Sequence, residues 1–332
     1  MTDFEKLTSS VEKQTILIVG DVMIDSYLWG NVERISPEAP VPIVAVNRRE
    51  NRLGGAANVA LNIQAMGAKP IMCTVLGNDE KANEFITLMK NANMDTQGII
   101  KSDDRITTVK FRILGNNVQL LRVDEEITTP LLPHDENCLI EQVKNIIATT
   151  KVDAIIFQDY DKGNITPKVI EQVATFAKEN NIPTTVDPKK RNFANFKNVT
   201  LFKPNLKELK EGLNIDIKDV GIENLKSAAD ILHKQQNIDI VFITLSEKGA
   251  FICDYRFYKP KAIHIPAHLR SISDVSGAGD TVISIATLCL SLDLDIESII
   301  RYSNMAGGIV CESVGVVPID KKRLYKELGI YN

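Results

Sequence analysis

Short runs of aliphatic and β-branched residues recur along the chain: Ile16–Val19, Ile71–Leu76, Ala154–Phe157, Thr184–Val186, Val199–Phe202 and Ile240–Leu245. Between many of them lie longer stretches in which apolar residues return at helical spacing. In Asp79–Ala92 the stripe is Phe85, Ile86, Leu88 and Met89, and Pro167–Asn180 and Glu223–Gln236 behave alike. Strands that are apolar throughout are buried on both faces. Alternating with helices, they predict an α/β fold: a parallel sheet with helices on both faces.

Two stretches break the alternation. Residues 27–47 are extended and punctuated by Pro37, Pro40 and Pro42, with no helical period. Residues 106–124 read as two strands joined by Gly115-Asn116-Asn117, residue types that tolerate the positive φ of a tight hairpin. Neither belongs in a parallel βαβ core. Together they predict a small β-sheet projecting from it, either a lid able to exclude water from a reaction below or an extension serving only folding or dimerisation. The chain shows no internal repeat and no Gly/Ser-rich linker, so a single domain over residues 1–332 is expected.

Composition adjusts this picture only slightly. At 44% hydrophobic and 25% charged, the 332 residues suffice for a large core. A net charge of −4 gives no basis for nucleic-acid binding, which needs a basic surface. The five cysteines are widely spaced with no C-x-x-C pair, unlike a zinc site or a disulfide framework. Met1–Gln14 lacks the apolar core of a signal peptide, and no apolar run approaches the roughly 20 residues of a membrane span. The expectation is a cytoplasmic protein.

The chemistry concentrates in Ser276-Gly277-Ala278-Gly279-Asp280-Thr281, just before the apolar helical stretch Val282–Leu292. Small residues let successive N–H groups converge on an anion, and the helix adds its positive N-terminal end. Phosphoryl transfer needs such a cradle, and Asp280 at the helix entrance could accept a hydroxyl proton. The alternative is a helix cap and a turn. No G-x-x-x-x-G-K-[ST] P-loop occurs, and the dinucleotide fingerprint lacks its third glycine. His264-Ile-Pro-Ala-His268 fails as a zinc motif because a proline separates the histidines and no glutamate follows the first.

Asp274-Val-Ser-Gly-Ala-Gly-Asp280 resembles the C-terminal signature of the ribokinase-like (PfkB) carbohydrate kinases. Leu53-Gly54-Gly55-Ala56-Ala57-Asn58-Val59-Ala60 resembles their N-terminal signature. Gly20-Asp21-Val22-Met23-Ile24-Asp25 is similar to their first strand, and Asn205-Leu206-Lys207-Glu208 to their N-x-x-E motif. All four stand in family order. The resemblance implies a ribokinase-like fold and an ATP-dependent phosphotransferase with Asp280 as catalytic base and Gly277, Ala278 and Gly279 as anion hole. It implies sugar binding by Asp25, Gly54, Gly55 and Asn58. Asn205 and Glu208 would order Mg²⁺ through water, and Asp274 would serve a monovalent-cation site, with K⁺ as its ion. Asn205, Ser246, Gly249 and Asn304 would contact the nucleotide. A homodimer formed through the lid is also implied.

Within the family, Gly20–Pro42, Asp159-Tyr-Asp-Lys-Gly163 and Val186-Asp-Pro-Lys189 are similar to the D-glycero-β-D-manno-heptose-7-phosphate kinases. That likeness implies phosphorylation of the anomeric C1 hydroxyl to the 1,7-bisphosphate, on the way to ADP-heptose for lipopolysaccharide. No H-x-G-H motif follows, so the chain resembles the stand-alone kinase, with adenylyl transfer left to another protein. Candidate cations for the substrate phosphate are Arg34, Lys110, Arg112, Lys189, Lys190 and Arg191, with Arg34 and Arg112 foremost because both lie on the expected lid; the alternative is a solvated charge on an edge strand. Competing readings are a kinase for fructose or fructose 6-phosphate, and a non-catalytic sugar-binding regulator.

Overall fold

The computed structural model describes residues 1–217, 219–268 and 270–330. Its strands, in chain order, are β1 (Thr15–Gly20), β2 (Val22–Ile35), β3 (Pro42–Gly55), β4 (Lys69–Gly77), β5 (Ile99–Ser102), β6 (Val109–Gly115), β7 (Val118–Glu125), β8 (Ala154–Gln158), β9 (Thr184–Asp187), β10 (Leu201–Phe202), β11 (Ile240–Thr244), β12 (Ala250–Asp254) and β13 (Lys261–Ile265). Among the described residues, nine form one sheet in the order β13-β12-β11-β10-β9-β8-β1-β4-β5. From β11 across to β5 every neighbouring pair is parallel, while β12 and β13 are added antiparallel at one edge.

The double burial read from the sequence has a direct cause. Ile16 and Ile18 of β1 enter one apolar cluster, shared with helices Ala56–Ala65, Ala278–Ser291 and Ile296–Val310. Leu17 and Val19 enter a second cluster on the opposite face, with helices Pro133–Thr149, Pro167–Glu179 and Ile222–Gln236. All four β1 side chains are fully buried. Each such aliphatic side chain contributes about 1.5–3 kcal/mol by leaving water.

The remaining four strands form a separate sheet in the order β3-β2-β6-β7. Asn116 and Asn117 turn between β6 and β7 with φ of 52° and 66°, the left-handed conformation their residue types tolerate. This sheet occupies both stretches expected to leave the core, and it is longer than expected. The paired strands run over Val22–Ile35 and Pro42–Gly55, beyond the anticipated 27–47. The reason is that their roots, Val22–Ile24 and Leu53, are apolar and buried with the core, so no change of pattern marks where they begin. Its two faces differ. Asp25 pairs with Arg52 and Tyr27 with Arg112, placing charge and aromatic rings on one face. Phe111 pairs with Val123 and Ile113 with Leu121, giving the other face an apolar character.

Candidate active site

In open parallel sheets, ligands gather beyond the carboxyl ends of the strands. Here Asp21 follows β1, Gln158 and Asp187 end β8 and β9, and Lys203 follows β10. Asp280 meets this rim from the first turn of helix Ala278–Ser291. Gly277 caps that helix at φ 80°, a left-handed conformation that glycine adopts without cost. A Cβ there would stand 3.0 Å from the Asn58 amide nitrogen. The first N–H groups of the helix point outward without carbonyls from a preceding turn, the arrangement that suits an anion. Of the three amides in the expected anion hole, Ala278 N–H turns back to Val275 O at 3.3 Å.

The Asp280 carboxylate is 6% exposed and receives three donors. Asn58 Nδ2 donates to Oδ2 at 2.7 Å, Tyr160 OH to Oδ1 at 2.6 Å, and Gln158 Nε2 to Oδ1 at 3.2 Å. Burial pushes the Asp280 carboxyl up to about 6, against the hydrogen bonds from Asn58 and Tyr160 and with help from the Asp187 charge. Tyr160 is raised well above its ordinary value by burial and by Asp280, so it remains a donor. Its loop is pinned by Asp21, whose carboxylate accepts the backbone N–H groups of Tyr160 (2.8 Å), Lys162 (3.1 Å) and Asn164 (2.9 Å).

Cations surround the same point. Lys203 Nζ and Asp187 Oδ1 form a buried pair at 3.1 Å. A Cβ on Gly279 would stand 3.7 Å from Lys203 Nζ, so this charge lies beside the glycine turn. Lys189 Nζ lies 5.9 Å from the centre of the Tyr160 ring and pairs with Glu208. Burial works against the Lys189 charge, but Asp187 and Glu208 more than offset it. Asn205 and Glu208 form a reciprocal helix cap: Asn205 Oδ1 accepts Glu208 N–H and Glu208 Oε2 accepts Asn205 N–H, each at 2.9 Å. With these oxygens engaged, the pair suits a divalent cation held through water rather than by direct ligation.

On the side of the small sheet, Arg112 Nη1 donates to Asp25 Oδ1 at 2.5 Å. A Cβ on Gly54 would overlap the Asp25 carboxylate, so glycine is what admits it. The guanidinium carbons of Arg52 and Arg112 lie 4.8 and 5.3 Å from the centre of the Tyr27 ring. Gly55, at φ 61°, turns the chain from β3 into the helix that carries Asn58. At the opposite margin, Asp274 accepts N–H groups of Ser276 (2.9 Å) and Gly315 (3.0 Å). Burial opposes its charge, yet these hydrogen bonds hold the carboxyl below its usual range. An ionised carboxylate of this kind suits a monovalent cation.

The sequence model described as "pfkB family carbohydrate kinase" matches residues 13–322. The chain belongs to this family. Among curated relatives, the "Bifunctional protein HldE" of Wolinella succinogenes is 38% identical over 93% of the chain, and that of Methylobacillus flagellatus 38% over 94%. The chain spans 63% of the length of each. Escherichia coli phosphofructokinase-2 in complex with fructose-6-phosphate superposes with a TM-score of 0.75 at 18% identity, covering 95% of this chain and 99% of that one. Arabidopsis thaliana ribokinase complexed with ribose and ATP gives 0.68 at 17%, covering 94% and 98%. These likenesses establish the ribokinase-like fold of the kinase.

The structure brings Asp280, Gly277, Gly279 and Asn58 together, and joins Asn205 and Glu208 to them through Lys189 and Tyr160. Ser246 sits at φ 54° in a turn; Gly249 and Asn304 both meet the Ile265–Pro266 segment. Arg34 is not brought in within one chain. It is exposed near the end of β2, roughly 30 Å along the strand from Asp25. Lys190 and Arg191 pair instead with Glu211 and Asp161. The reading of residue types gave no role to Tyr160, Gln158, Asp187 or Lys203. The signal that could have found them is their position at the carboxyl ends of parallel strands.

Proposed function

We propose that this chain transfers the γ-phosphoryl group of ATP to the anomeric C1 hydroxyl of D-glycero-β-D-manno-heptose 7-phosphate, giving the 1,7-bisphosphate. The observation that carries the phosphotransfer reading is the buried Asp280 carboxylate beside a glycine turn and a helix N-terminus. Asp280 takes the proton of the attacking hydroxyl, worth roughly 10²–10⁴-fold in rate. The Gly277 and Gly279 amides and the adjoining helix end stabilise charge on the transferring group, each preorganised donor worth about 3–4 kcal/mol, while the Ala278 amide is engaged with Val275 O. Asp25 and Asn58 hold sugar hydroxyls, and Arg112 offers the phosphate end a planar fork. ATP lies against Asn205, Ser246, Gly249 and Asn304. Asn205 and Glu208 would hold Mg²⁺ through water, where it would supply neutralisation of phosphate charge.

The choice of heptose is supported by the segments around Gly20–Pro42, Asp159–Gly163 and Val186–Lys189, and by the relatives named HldE. The small sheet acts as the lid over the sugar. Leu121 and Val123, 53% and 46% exposed on its apolar face, are covered by a second copy of the chain in a dimer. Light scattering that finds only monomer at micromolar concentration would remove that part. No described helix is long and apolar enough to cross a membrane.

The test is ATP consumption with Mg²⁺ against the heptose 7-phosphate, fructose 6-phosphate, fructose and ribose. Preference for the heptose with a 1,7-bisphosphate product supports the full reading. Preference for another sugar discards the substrate and keeps the mechanism. Turnover with none would leave a sugar-binding regulator.

A further inference from the structure

A carboxylate oxygen offers about two lone-pair directions to donors. On Asp280, Oδ1 already receives two donors, Tyr160 OH at 2.6 Å and Gln158 Nε2 at 3.2 Å. Oδ2 receives one, Asn58 Nδ2 at 2.7 Å. The two oxygens are therefore unequal, and one direction on Oδ2 remains for a hydroxyl. A second observation points the same way. The side-chain carbonyl oxygens Asn58 Oδ1 and Gln158 Oε1 are buried without a hydrogen-bond partner, on residues that are each 1% exposed. Buried acceptors left without donors are costly, and a polyol supplies several donors at once.

We infer that Tyr160 and Gln158 are positioning residues that fill Asp280 Oδ1 and so aim Oδ2 at the attacking hydroxyl, while the free carbonyl oxygens of Gln158 and Asn58 accept neighbouring sugar hydroxyls. The inference rests on Asp280 being the base. It adds the atom that takes the proton and two residues to which no role has been given. Tyr160 is suited to the task because its backbone is fixed independently of its ring. Asp21 holds the N–H groups on this turn, and Asp161, at φ 58°, bends the chain just after it. The proton balance is simple: the hydroxyl proton passes to Oδ2 as the new O–P bond forms and the bond to ADP breaks. Tyr160 keeps its own proton throughout.

Other charged groups face Asp280 from the packed elements: Asp187 at the end of β9, Lys189 just beyond it, and Lys203 after β10. None touches the carboxylate in the way Tyr160 does. Removing the phenol hydroxyl thus leaves the surrounding charges in place and takes away one donor that favours the ionised carboxylate.

The experiment is Tyr160→Phe in the full chain, with Gln158→Met as a second variant. Two readouts are taken: steady-state kinetics across pH, and the titration of Asp280 followed by carboxyl ¹³C NMR, its resonance identified by loss in Asp280→Asn. For Tyr160→Phe the expected result is a kcat at least tenfold lower and a KM for sugar within about threefold. The Asp280 titration and the acid limb should both move to higher pH. For Gln158→Met, KM for the sugar rises as well. Turnover within twofold of the parent with an unmoved Asp280 titration would overturn the inference. Should Asp280→Asn itself keep turning over, the base assignment fails, and the NMR titration of Tyr160→Phe still reports separately whether the phenol governs that carboxylate.

Discussion

The acid limb of the pH profile provides a direct test of the burial of Asp280. A base works only when deprotonated, so rate follows its ionised fraction. With the carboxyl at about 6, it is about nine-tenths ionised at pH 7, about half at pH 6 and about one-tenth at pH 5. The expected fall in kcat between pH 7 and pH 5 is therefore about tenfold. An ordinary aspartate, near 3.8, would still be about nine-tenths ionised at pH 5 and the rate would hardly change. The assay is coupled ADP release with Mg²⁺, in buffers of constant ionic strength, using a pyruvate kinase system checked at every pH. A phosphate monoester has its own ionisation near 6, so the sugar phosphate must be saturating, where its binding no longer sets the rate. A flat profile down to pH 5 would refute the argument that desolvation outweighs the donors around this carboxylate.

Two further outcomes follow from the same neighbourhood. Gly277→Ala places a side chain at φ 80° and presses on the Asn58 amide, a strain of about 1–2 kcal/mol in the left-handed region. Turnover should drop at least tenfold with only a modest loss of thermal stability, and unchanged kcat would contradict the close packing described. Asp159, buried beside Asp21, is pushed up to about 7, first by burial and then by that charge. The native state thus keeps a proton that the unfolded chain has released, so stability from this group is full below about pH 4 and lost as pH rises through 7. Urea unfolding of the parent should weaken between pH 5 and pH 8 by up to about 3 kcal/mol, and Asp159→Asn should flatten that slope.

The sequence made the core and one part of the site legible for physical reasons. Fully apolar strands such as Ile16–Val19 can only be buried on both faces, and Asn116-Asn117 can only be a turn between paired strands. The glycine turn before Asp280 declares itself because a left-handed backbone packed against Asn58 leaves few residue types to choose from. Gln158, Lys203 and Tyr160, the last in a segment read only for its likeness, were given no role for the opposite reason. A tyrosine, a glutamine and a lysine carry no pattern of their own, and only the parallel order of β1, β8, β9 and β10 brings them to Asp280. Arg34 shows the converse. Membership of the right segment does not fix which end of a long strand a residue occupies.

The path of the chain through Gly54 and Gly55 has a consequence for how this enzyme can change. Strand β3 ends at Gly55 and the helix bearing Asn58 begins at the next residue, so the small sheet and the base are linked by one short, stiff turn. On the proposed reading, Asp25 and Arg112, which would meet the acceptor, hang from the sheet, while Asp280, Lys189 and Lys203 stand on the rim of the core. Substitutions in the sheet can therefore drift toward new acceptors without disturbing the transfer step. Asn58 and Gln158 are the exceptions, since each donates to Asp280 and each is inferred to accept a sugar hydroxyl, and a substitution at either should alter acceptor choice and rate together.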